Sequence, residues 1–399
     1  MSTTVVIILI AGSVIAMISF GIRAIFGFFL EPMTLAQGWS RETFALALAL
    51  QNLVWGLGMP VAGALADRFG SPKVLIGGAL IYGLGIWGMA EAQTGLALHV
   101  FAGVITGLGV ALTSFSLVMA AMVKVVGPER RSLALGLGTA AGSFGMVVFS
   151  PLGQFFIVEF GWQAALYLLA GITLVIIPLA LILPPGTASA GEAPSDQSLG
   201  EALKEALAHR GYILLTTGFF VCGFHVAFIT VHFPAYIRDL GLDASVAAIA
   251  LALIGVFNIA GSFLSGLAGQ KYSKKMGLSV LYFIRAIAIT ALLLADKTAT
   301  TIYIFSAVMG ILWLSTVPLT TGIVAQVFGT RYMATLFGIV FLSHQFGSFI
   351  GVWLGGYLYD TIGNYDPVWW LGIALGLAAA IIHLPINERP LARLGGARA

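Results

Sequence analysis

Long apolar runs are the feature that most constrains how this chain can fold, because several exceed 18 residues without a single charge. A helix needs about 20 apolar residues to cross the hydrocarbon core of a bilayer. The alternation of apolar and polar residues that a half-buried β-strand requires is absent. We therefore predict an all-α membrane protein with twelve transmembrane helices. The predicted spans are 5–30, 44–66, 74–92, 97–123, 132–158, 162–183, 211–237, 245–269, 277–295, 299–326, 333–358 and 367–386.

The charge content excludes a water-soluble fold of this length. Only 9% of the 399 residues are charged and 59% are hydrophobic, whereas soluble domains carry about 25% charged residues. The amino-terminal apolar run, residues 4–20, has no basic segment before it and no clear small-residue cleavage site. We interpret it as a retained first span rather than a signal peptide.

Several classes of function are excluded by residues that the sequence lacks. The single cysteine, Cys222, allows no internal disulfide and no cysteine-based metal cluster. The sequence holds no nucleotide-binding loop, no metal-ligand cluster and no nucleophile with a partnered base. It also lacks a basic face suited to nucleic acid. We therefore expect a protein that is not an enzyme, uses no cofactor or metal and binds no nucleic acid.

One polar linker divides the chain into two halves of six spans each. The amino-terminal half is 1–183, and the carboxyl-terminal half, 211–399, ends in a short polar tail. The linker, 184–210, begins with Pro-Pro-Gly and ends in a stretch with helical spacing. That stretch, 199–209, is expected to lie along the membrane surface as a short amphipathic helix.

The distribution of lysine and arginine predicts that both termini lie in the cytoplasm. Cytoplasmic loops of membrane proteins are enriched in basic residues. With this orientation the outer loops hold only Arg41, Arg238 and Lys297, and two more basic residues, Arg23 and Arg285, fall inside spans. The other fourteen lie on the cytoplasmic side: Arg68, Lys73, Lys124, Arg130, Arg131, Lys204, Arg210, Lys271, Lys274, Lys275, Arg331, Arg389, Arg393 and Arg398. We expect a multi-pass protein of the cell membrane that functions as a monomer.

The two halves repeat each other at an offset of about 202 residues. Gly63 after the second span corresponds to Gly266 after the eighth, an offset of 203 residues. Gly136 at the start of the fifth span corresponds to Gly338 at the start of the eleventh, an offset of 202. Two six-helix halves that start on the same side form the parallel repeat of transporters that rock around a central site. The repeat predicts a site near the middle of the membrane, bordered by spans 1, 4, 7, 8, 10 and 11.

The loop after the second span carries the motif Gly63-Ala-Leu-Ala-Asp67-Arg68-Phe-Gly70-Ser-Pro-Lys73. It resembles the signature loop of the major facilitator superfamily, and the likeness to that superfamily extends over nearly the whole chain. The resemblance implies a fold of two pseudo-symmetric six-helix bundles. We expect Asp67 and Arg68 to gate the cytoplasmic face by bonding to a neighbouring helix.

Two further motifs resemble the monocarboxylate-porter branch of that superfamily. Gly127-Pro-Glu-Arg130-Arg131 opens the fifth span, and in span 1 a basic residue, Arg23, precedes Phe28-Phe29 and an acid, Glu31. The resemblance places Arg130 and Arg131 in the cytoplasmic gate and favours Arg23 as a substrate-binding residue.

The eighth span departs from the pattern of these porters. Their eighth helix pairs an acidic or amide residue with a carboxylate-binding arginine four positions later. The matching positions here are Asn258 and Ser262, so the amide is present and the arginine is missing. Arg285, in the ninth span, is a candidate replacement.

Arginine is costly in hydrocarbon and normally faces protein or water. We interpret Arg23 as the residue that attracts an anionic substrate; the alternative is that its side chain extends to the outer interface. For Arg285, substrate binding and a structural pairing remain equally open.

Several other polar residues lie at membrane depth. His225, one of two histidines on the same face of span 7, is the candidate for proton coupling, because histidine titrates near neutral pH; a neutral hydrogen bond between helices is the alternative. Gln51, His344 and Gln345 are candidate substrate contacts, although amides in membrane helices also bond neighbouring helices together.

None of the sixteen acidic residues lies well inside a predicted span, Glu31 at an outer end being the nearest. Transporters of cations generally need a buried carboxylate, and a cavity with Arg23 and no acid is electropositive. The sequence therefore predicts a secondary active transporter of a small organic anion, a carboxylate, which works by alternating access with proton symport or anion exchange. The alternative is an efflux pump for amphipathic drugs or neutral metabolites.

Overall fold

The computed structural model describes residues 3–126, 131–184 and 197–395, and all regular structure in these ranges is helical. Eleven helices in the described ranges are long and apolar enough to cross a membrane. One of the eleven holds two spans, because its helical path breaks at Gly161, whose φ of 80° is a left-handed conformation that glycine tolerates. The predicted all-α fold with twelve spans is confirmed.

The span boundaries are as follows. The first six spans are Thr3–Gln37, Arg41–Phe69, Ser71–Glu91, Gly95–Val123, 131–160 and 162–182. The last six are Arg210–Asp239, Ala244–Lys271, Lys274–Leu294, Ala299–Phe328, Met333–Ile362 and Asp366–His383. Below, these are spans 1 to 12. The side where span 1 starts and span 12 ends is called the terminal side, and the opposite side is called the far side.

Four spans that the sequence predicts as uninterrupted helices contain breaks. Span 1 passes through a 3-10 turn at Phe26–Phe29 before it continues as Leu30–Gln37. Span 4 contains a π-helix, His99–Ile105, and is interrupted again at residues 113–114. Span 6 is interrupted at Val175. Span 10 consists of two helices, Ala299–Leu312 and Thr316–Phe328. The long apolar runs continue on both sides of each break, so a hydropathy window does not separate the pieces.

A short helix, Leu199–Ala208, precedes span 7. It begins with a capping box, in which Ser198 accepts a hydrogen bond from the backbone of Glu201 and the Glu201 carboxylate accepts one from the backbone of Ser198. These bonds from Ser198 lower the pKa of the Glu201 carboxyl below its usual value. Ala202 and Ala206 are buried, and Glu205 forms an ion pair of 2.9 Å with Arg393 of the carboxyl-terminal tail. The helix therefore packs against the second half.

The two halves contact each other on the far side and at the middle of the membrane. Gly27 lies against the backbone of span 7, Gly356 against span 2, and Gly56 against the side chain of Gln345. All of residues 221–237 in span 7 are buried. On the terminal side, no hydrogen bond or ion pair between described residues joins the halves, and a side chain at Gly63 would meet no atom within 4 Å. The described contacts thus close the far side alone.

Span 11 provides a matched pair of glycines that tests how tightly the second half is packed. A Cβ at Gly347 would lie 1.9 Å from the carbonyl oxygen of Phe220, whereas a Cβ at Gly338 would meet nothing within 4 Å. We expect Gly347→Ala to destabilise the protein by about 1–3 kcal/mol, because spans 7 and 11 must move apart. Thermal unfolding in detergent should show a lowered midpoint for Gly347→Ala and no loss for Gly338→Ala. Equal midpoints would contradict this packing.

Candidate functional site

Arg23 lies near the middle of the membrane, between spans 1, 2 and 4. Its guanidinium carbon is 4.4 Å from the centre of the Trp55 ring and 5.5 Å from that of Phe20. Arg23 Nε and Trp55 Nε1 are buried and have no hydrogen-bond partner. Among the described residues, no acidic side chain forms an ion pair with Arg23. A positive charge beside two unpaired N–H donors is an arrangement that suits acceptor oxygens of an anion.

A small cavity lies directly against Arg23. Its volume is about 10 Å³, enough for about one water molecule. All of its walls come from the first half: Ser19, Phe20, Arg23, Trp55, Val110, Ser114 and Phe115.

A chain of aromatic rings connects Arg23 to the second half. The edge of Trp55 meets Phe341 of span 11, with ring centres 5.3 Å apart. Phe341 in turn stacks on His344, with ring centres 5.5 Å apart and an angle of 9° between the planes, and Phe219 of span 7 lies on His344 at 5.0 Å. Arg23 and His344, both candidates from the sequence, are thus joined through two rings.

The three amide and imidazole candidates of spans 2 and 11 occupy different positions. Gln51 Nε2 donates to the carbonyl of Ala102, 2.9 Å away, and so bonds spans 2 and 4 within the first half. Gln345 Nε2 donates to the carbonyl of Asn52, 2.8 Å away, and so joins the two halves. Gln345 Oε1 lies 2.9 Å from His344 Nδ1. The structure therefore brings His344 and Gln345 to the contact between halves and keeps Gln51 within one half.

Asn258 holds the break in span 10. Its Oδ1 accepts hydrogen bonds from the backbone N–H of Leu314, at 3.0 Å, and from Ser262 Oγ, at 3.1 Å. Its Nδ2 donates to Ser143 Oγ of span 5, 2.9 Å away. Because Leu314 lies between the two helices of span 10, its N–H has no partner within either helix. Asn258 therefore pairs the broken backbone and also bonds to the opposite half.

Arg285 reaches the same break from span 9. Its Nη2 donates to the carbonyls of Leu312 and Trp313, both at 2.5 Å. Its side chain is fully buried, and among the described residues no acid forms an ion pair with it. A positive charge at the carboxyl end of a helix is favourable. The structure thus places Arg285 at the break of span 10, and it does not line the cavity beside Arg23.

The two histidines of span 7 bond within the second half. His225 Nε2 lies 2.8 Å from the carbonyl of Gly372 in span 12. His232 lies 2.7 Å from the carbonyl of Val352 and 3.2 Å from the Tyr365 hydroxyl. His225, the sequence candidate for proton coupling, is therefore directed towards span 12 and away from the cavity beside Arg23.

Polar contacts between the halves close the far side. Arg41, at the start of span 2, binds Asp239 of span 7 with distances of 2.6 and 2.7 Å. Asp360 of span 11 accepts from the backbone N–H groups of Arg41, at 3.1 Å, and Glu42, at 2.7 Å. The Trp353 indole donates to the Glu42 carboxylate, 3.0 Å away. We call these five residues the far-side clasp.

Three of the four residues that the sequence assigns to a gate lie on the terminal side of the described structure. Asp67 and Arg68 lie at the end of span 2. Neither forms a hydrogen bond or ion pair with a described residue of the second half. The guanidinium carbon of Arg68 lies 5.1 Å from the centre of the Phe69 ring. Arg131 begins the helix of span 5, and Arg130 lies outside the described residues.

Sequence reasoning missed several residues that the structure places at the site. Trp55 follows Gln51 by one helical turn and Phe341 precedes Gln345 by one turn, so same-face spacing could have found both. The contact between Asn258 and Ser143 depends on how spans 5 and 8, which are distant in the sequence, pack against each other. A local sequence pattern does not predict it.

Comparison with known proteins is consistent with this architecture. The sequence model of the Major Facilitator Superfamily matches residues 12–351 and 216–399. The chain is 26% identical to monocarboxylate transporter 13 of Bos taurus, over 92% of this chain and 86% of the relative. It is 25% identical to the uncharacterized MFS-type transporter YcxA of Bacillus subtilis, over 93% and 92%, and 26% identical to monocarboxylate transporter 4 of Mus musculus, over 91% and 78%.

Solved structures show the same fold. A D-xylose-proton symporter superposes with a TM-score of 0.77 at 14% identity, covering 98% of this chain and all of the symporter. A bacterial homologue of the human lysosomal transporter Spinster superposes with a TM-score of 0.76 at 17% identity, covering 96% of this chain and 95% of the homologue.

The role of Asn258 at the break can be tested by removing its hydrogen bonds while keeping its size. We expect Asn258→Leu to lower stability by about 1–3 kcal/mol, because the Leu314 N–H loses its acceptor and the Ser143 oxygen loses the donor of Asn258. Ser262→Ala removes only one donor to the same oxygen and should cost less than half as much. Thermal unfolding midpoints of the purified variants measure both effects. Equal losses in the two variants would mean that Asn258 does not hold the break.

Proposed function

Because the chain belongs to the major facilitator superfamily, we propose that it is a secondary active transporter that moves a small organic anion across the cell membrane. The observation that carries this proposal is the charge of Arg23. It lies at mid-membrane without an acidic partner among the described residues, beside an unpaired indole N–H. An uncompensated charge at this depth is costly unless a ligand compensates it.

A carboxylate is the proposed form of the anion. Its two oxygens accept several hydrogen bonds at once, which matches the unpaired donors of Arg23 and Trp55. Relatives named as monocarboxylate transporters align over most of the chain, which supports the same class of substrate. In span 8, Ser262 occupies the position where the related porters have their carboxylate-binding arginine. We therefore propose that Arg23, in the first half, is the residue that binds the carboxylate, and we call it the anchor.

Alternating access is the proposed mechanism. The far-side clasp and the contact between Gln345 and Asn52 join the halves here, so the far side opens only when these bonds break. We propose that Asp67, Arg68, Arg130 and Arg131 then approach the second half and close the terminal side. The chain works as a monomer in this proposal, and its transport is coupled to protons or to exchange of anions.

The proposed orientation places the terminal side, with both termini and the helix Leu199–Ala208, in the cytoplasm. It is supported by the excess of lysine and arginine on the loops of that side. The far-side clasp then faces the outside of the cell.

Transport by purified protein in liposomes tests the anchor. We expect Arg23→Gln to reduce uptake of labelled small monocarboxylates at least about tenfold, because a charged hydrogen bond contributes about 1.5–3 kcal/mol. Arg389→Gln, at an exposed arginine of the carboxyl-terminal tail, serves as the matched control and should transport at the wild-type rate. Wild-type rates in Arg23→Gln would rule out the anchor. If the wild-type protein transports no anion but lowers the drug sensitivity of a pump-deficient host, the efflux alternative holds.

Labelling of introduced cysteines in whole cells tests the orientation. Cys222 is the only cysteine, and Cys222→Ser gives a cysteine-free background. In that background we expect Asp296→Cys, in the exposed turn between spans 9 and 10, to react with a membrane-impermeant maleimide in intact cells. Lys204→Cys, exposed on the helix Leu199–Ala208, should react only after the cells are permeabilised. The reverse pattern would invert the proposed topology.

A further inference from the structure

The hydrogen bonds around His344 determine which of its nitrogens carries a proton. Gln345 bonds to the carbonyl of Asn52, 2.8 Å away. A carbonyl oxygen only accepts hydrogen bonds, so the amide atom that faces it is the NH₂ group. The amide oxygen of Gln345 therefore faces His344 Nδ1, 2.9 Å away. Because that oxygen also only accepts, Nδ1 of a neutral His344 must hold the hydrogen, and Nε2 is the nitrogen whose lone pair can bind a proton.

The position of His344 distinguishes it from the other histidines of the second half. His225 and His383 each have one buried ring nitrogen without a hydrogen-bond partner, and their other nitrogens bond to backbone within the second half, at Gly372 and Ala379. Only the network of His344 passes, through Gln345, to the first half. A proton on His344 is thus linked to the contact that alternating access must break and remake.

The titratable groups nearest to His344 are one thiol and two arginines. Cys222 of span 7 is its polar neighbour, and the thiol lies 3.2 Å from the Thr316 hydroxyl of span 10. Arg285 of span 9 lies beyond Cys222, and Arg23 of span 1 is reached through two aromatic rings. Among the described residues no acidic side chain pairs with any of these groups.

We propose that His344 carries the proton that accompanies the anion, an inference that rests on the proposed transport function. Water on the side from which substrate enters supplies the proton, Nε2 binds it, and the imidazolium releases it to water on the other side. An imidazolium on the same ring chain as Arg23, with no carboxylate to compensate either charge, is unfavourable until an anion binds at Arg23. Proton and anion therefore favour each other's binding, and this linkage is reciprocal.

Two transport assays in liposomes separate the proton from the anion. One measures accumulation of labelled pyruvate driven by a pH gradient, and the other measures exchange of labelled for unlabelled pyruvate at equal pH on both sides. We expect His344→Gln to lose accumulation at least tenfold and to retain exchange within about twofold, because exchange moves the anion without net proton release. His225→Gln, at the rival histidine, should retain both activities.

Each other outcome points to a different failure. A wild-type protein that transports pyruvate and other small carboxylates in neither assay contradicts the proposed function itself. Wild-type exchange without gradient-driven accumulation, or accumulation by His344→Gln at the wild-type level, overturns the role of His344 alone. The same holds if His225→Gln rather than His344→Gln loses accumulation.

A second variant covers the case in which His344→Gln loses both activities. Gln345→Leu removes the acceptor that holds the Nδ1 hydrogen of His344. We expect the pH of half-maximal uptake to change in Gln345→Leu while exchange continues. An unchanged pH midpoint in that variant overturns the proposal.

Discussion

A backbone N–H or C=O without a hydrogen-bond partner costs several kcal/mol inside a bilayer, and the interrupted span 10 would contain several. Two side chains prevent this cost. Asn258 accepts from the N–H of Leu314, and Arg285 donates to the carbonyls of Leu312 and Trp313. The charge of Arg285, which has no acidic partner among the described residues, thereby lies at the carboxyl end of a helix, while its Nε and Nη1 are buried without a hydrogen-bond partner.

The same pairing connects the break to the boundary between the halves. Asn258 bonds at once to Leu314 of span 10 and to Ser143 of span 5. Any movement that separates spans 5 and 8 breaks the bond to Ser143 and changes the surroundings of the residue that holds the break. The backbone of span 10 and the contact between the halves are therefore not independent.

The fold could be predicted from the sequence, because each membrane helix is visible as a long apolar run with few charged residues. The long apolar runs predicted twelve spans, and the structure and the family match confirm that fold. The break after Leu312 was not predicted, because the residues that pair its backbone come from other spans. The sequence around a break does not show which residues of other spans will contact it.

The candidate site was predictable only in part, for a related reason. Counting residues from the ends of the spans placed four residues at membrane depth: Arg23, Arg285, His225 and His344. The depth of a residue does not predict the direction in which its side chain points. The structure shows Arg285 facing a helix break, His225 facing span 12 and His344 facing the first half. Which way each side chain points depends on helix rotation and packing, which a single sequence does not encode locally.

The far-side clasp has a consequence for the speed of transport. Arg41, Asp239 and Asp360 lie at helix ends, where water can replace each of their bonds when the halves part. Ion pairs at such partly hydrated positions contribute little net free energy, because the separated charges are well solvated. In the proposed alternating-access cycle, a closure built from such pairs adds little to the free-energy difference between the two conformations. If one conformation were several kcal/mol more stable than the other, the less stable one would be rarely populated. Transport through it would then be slow.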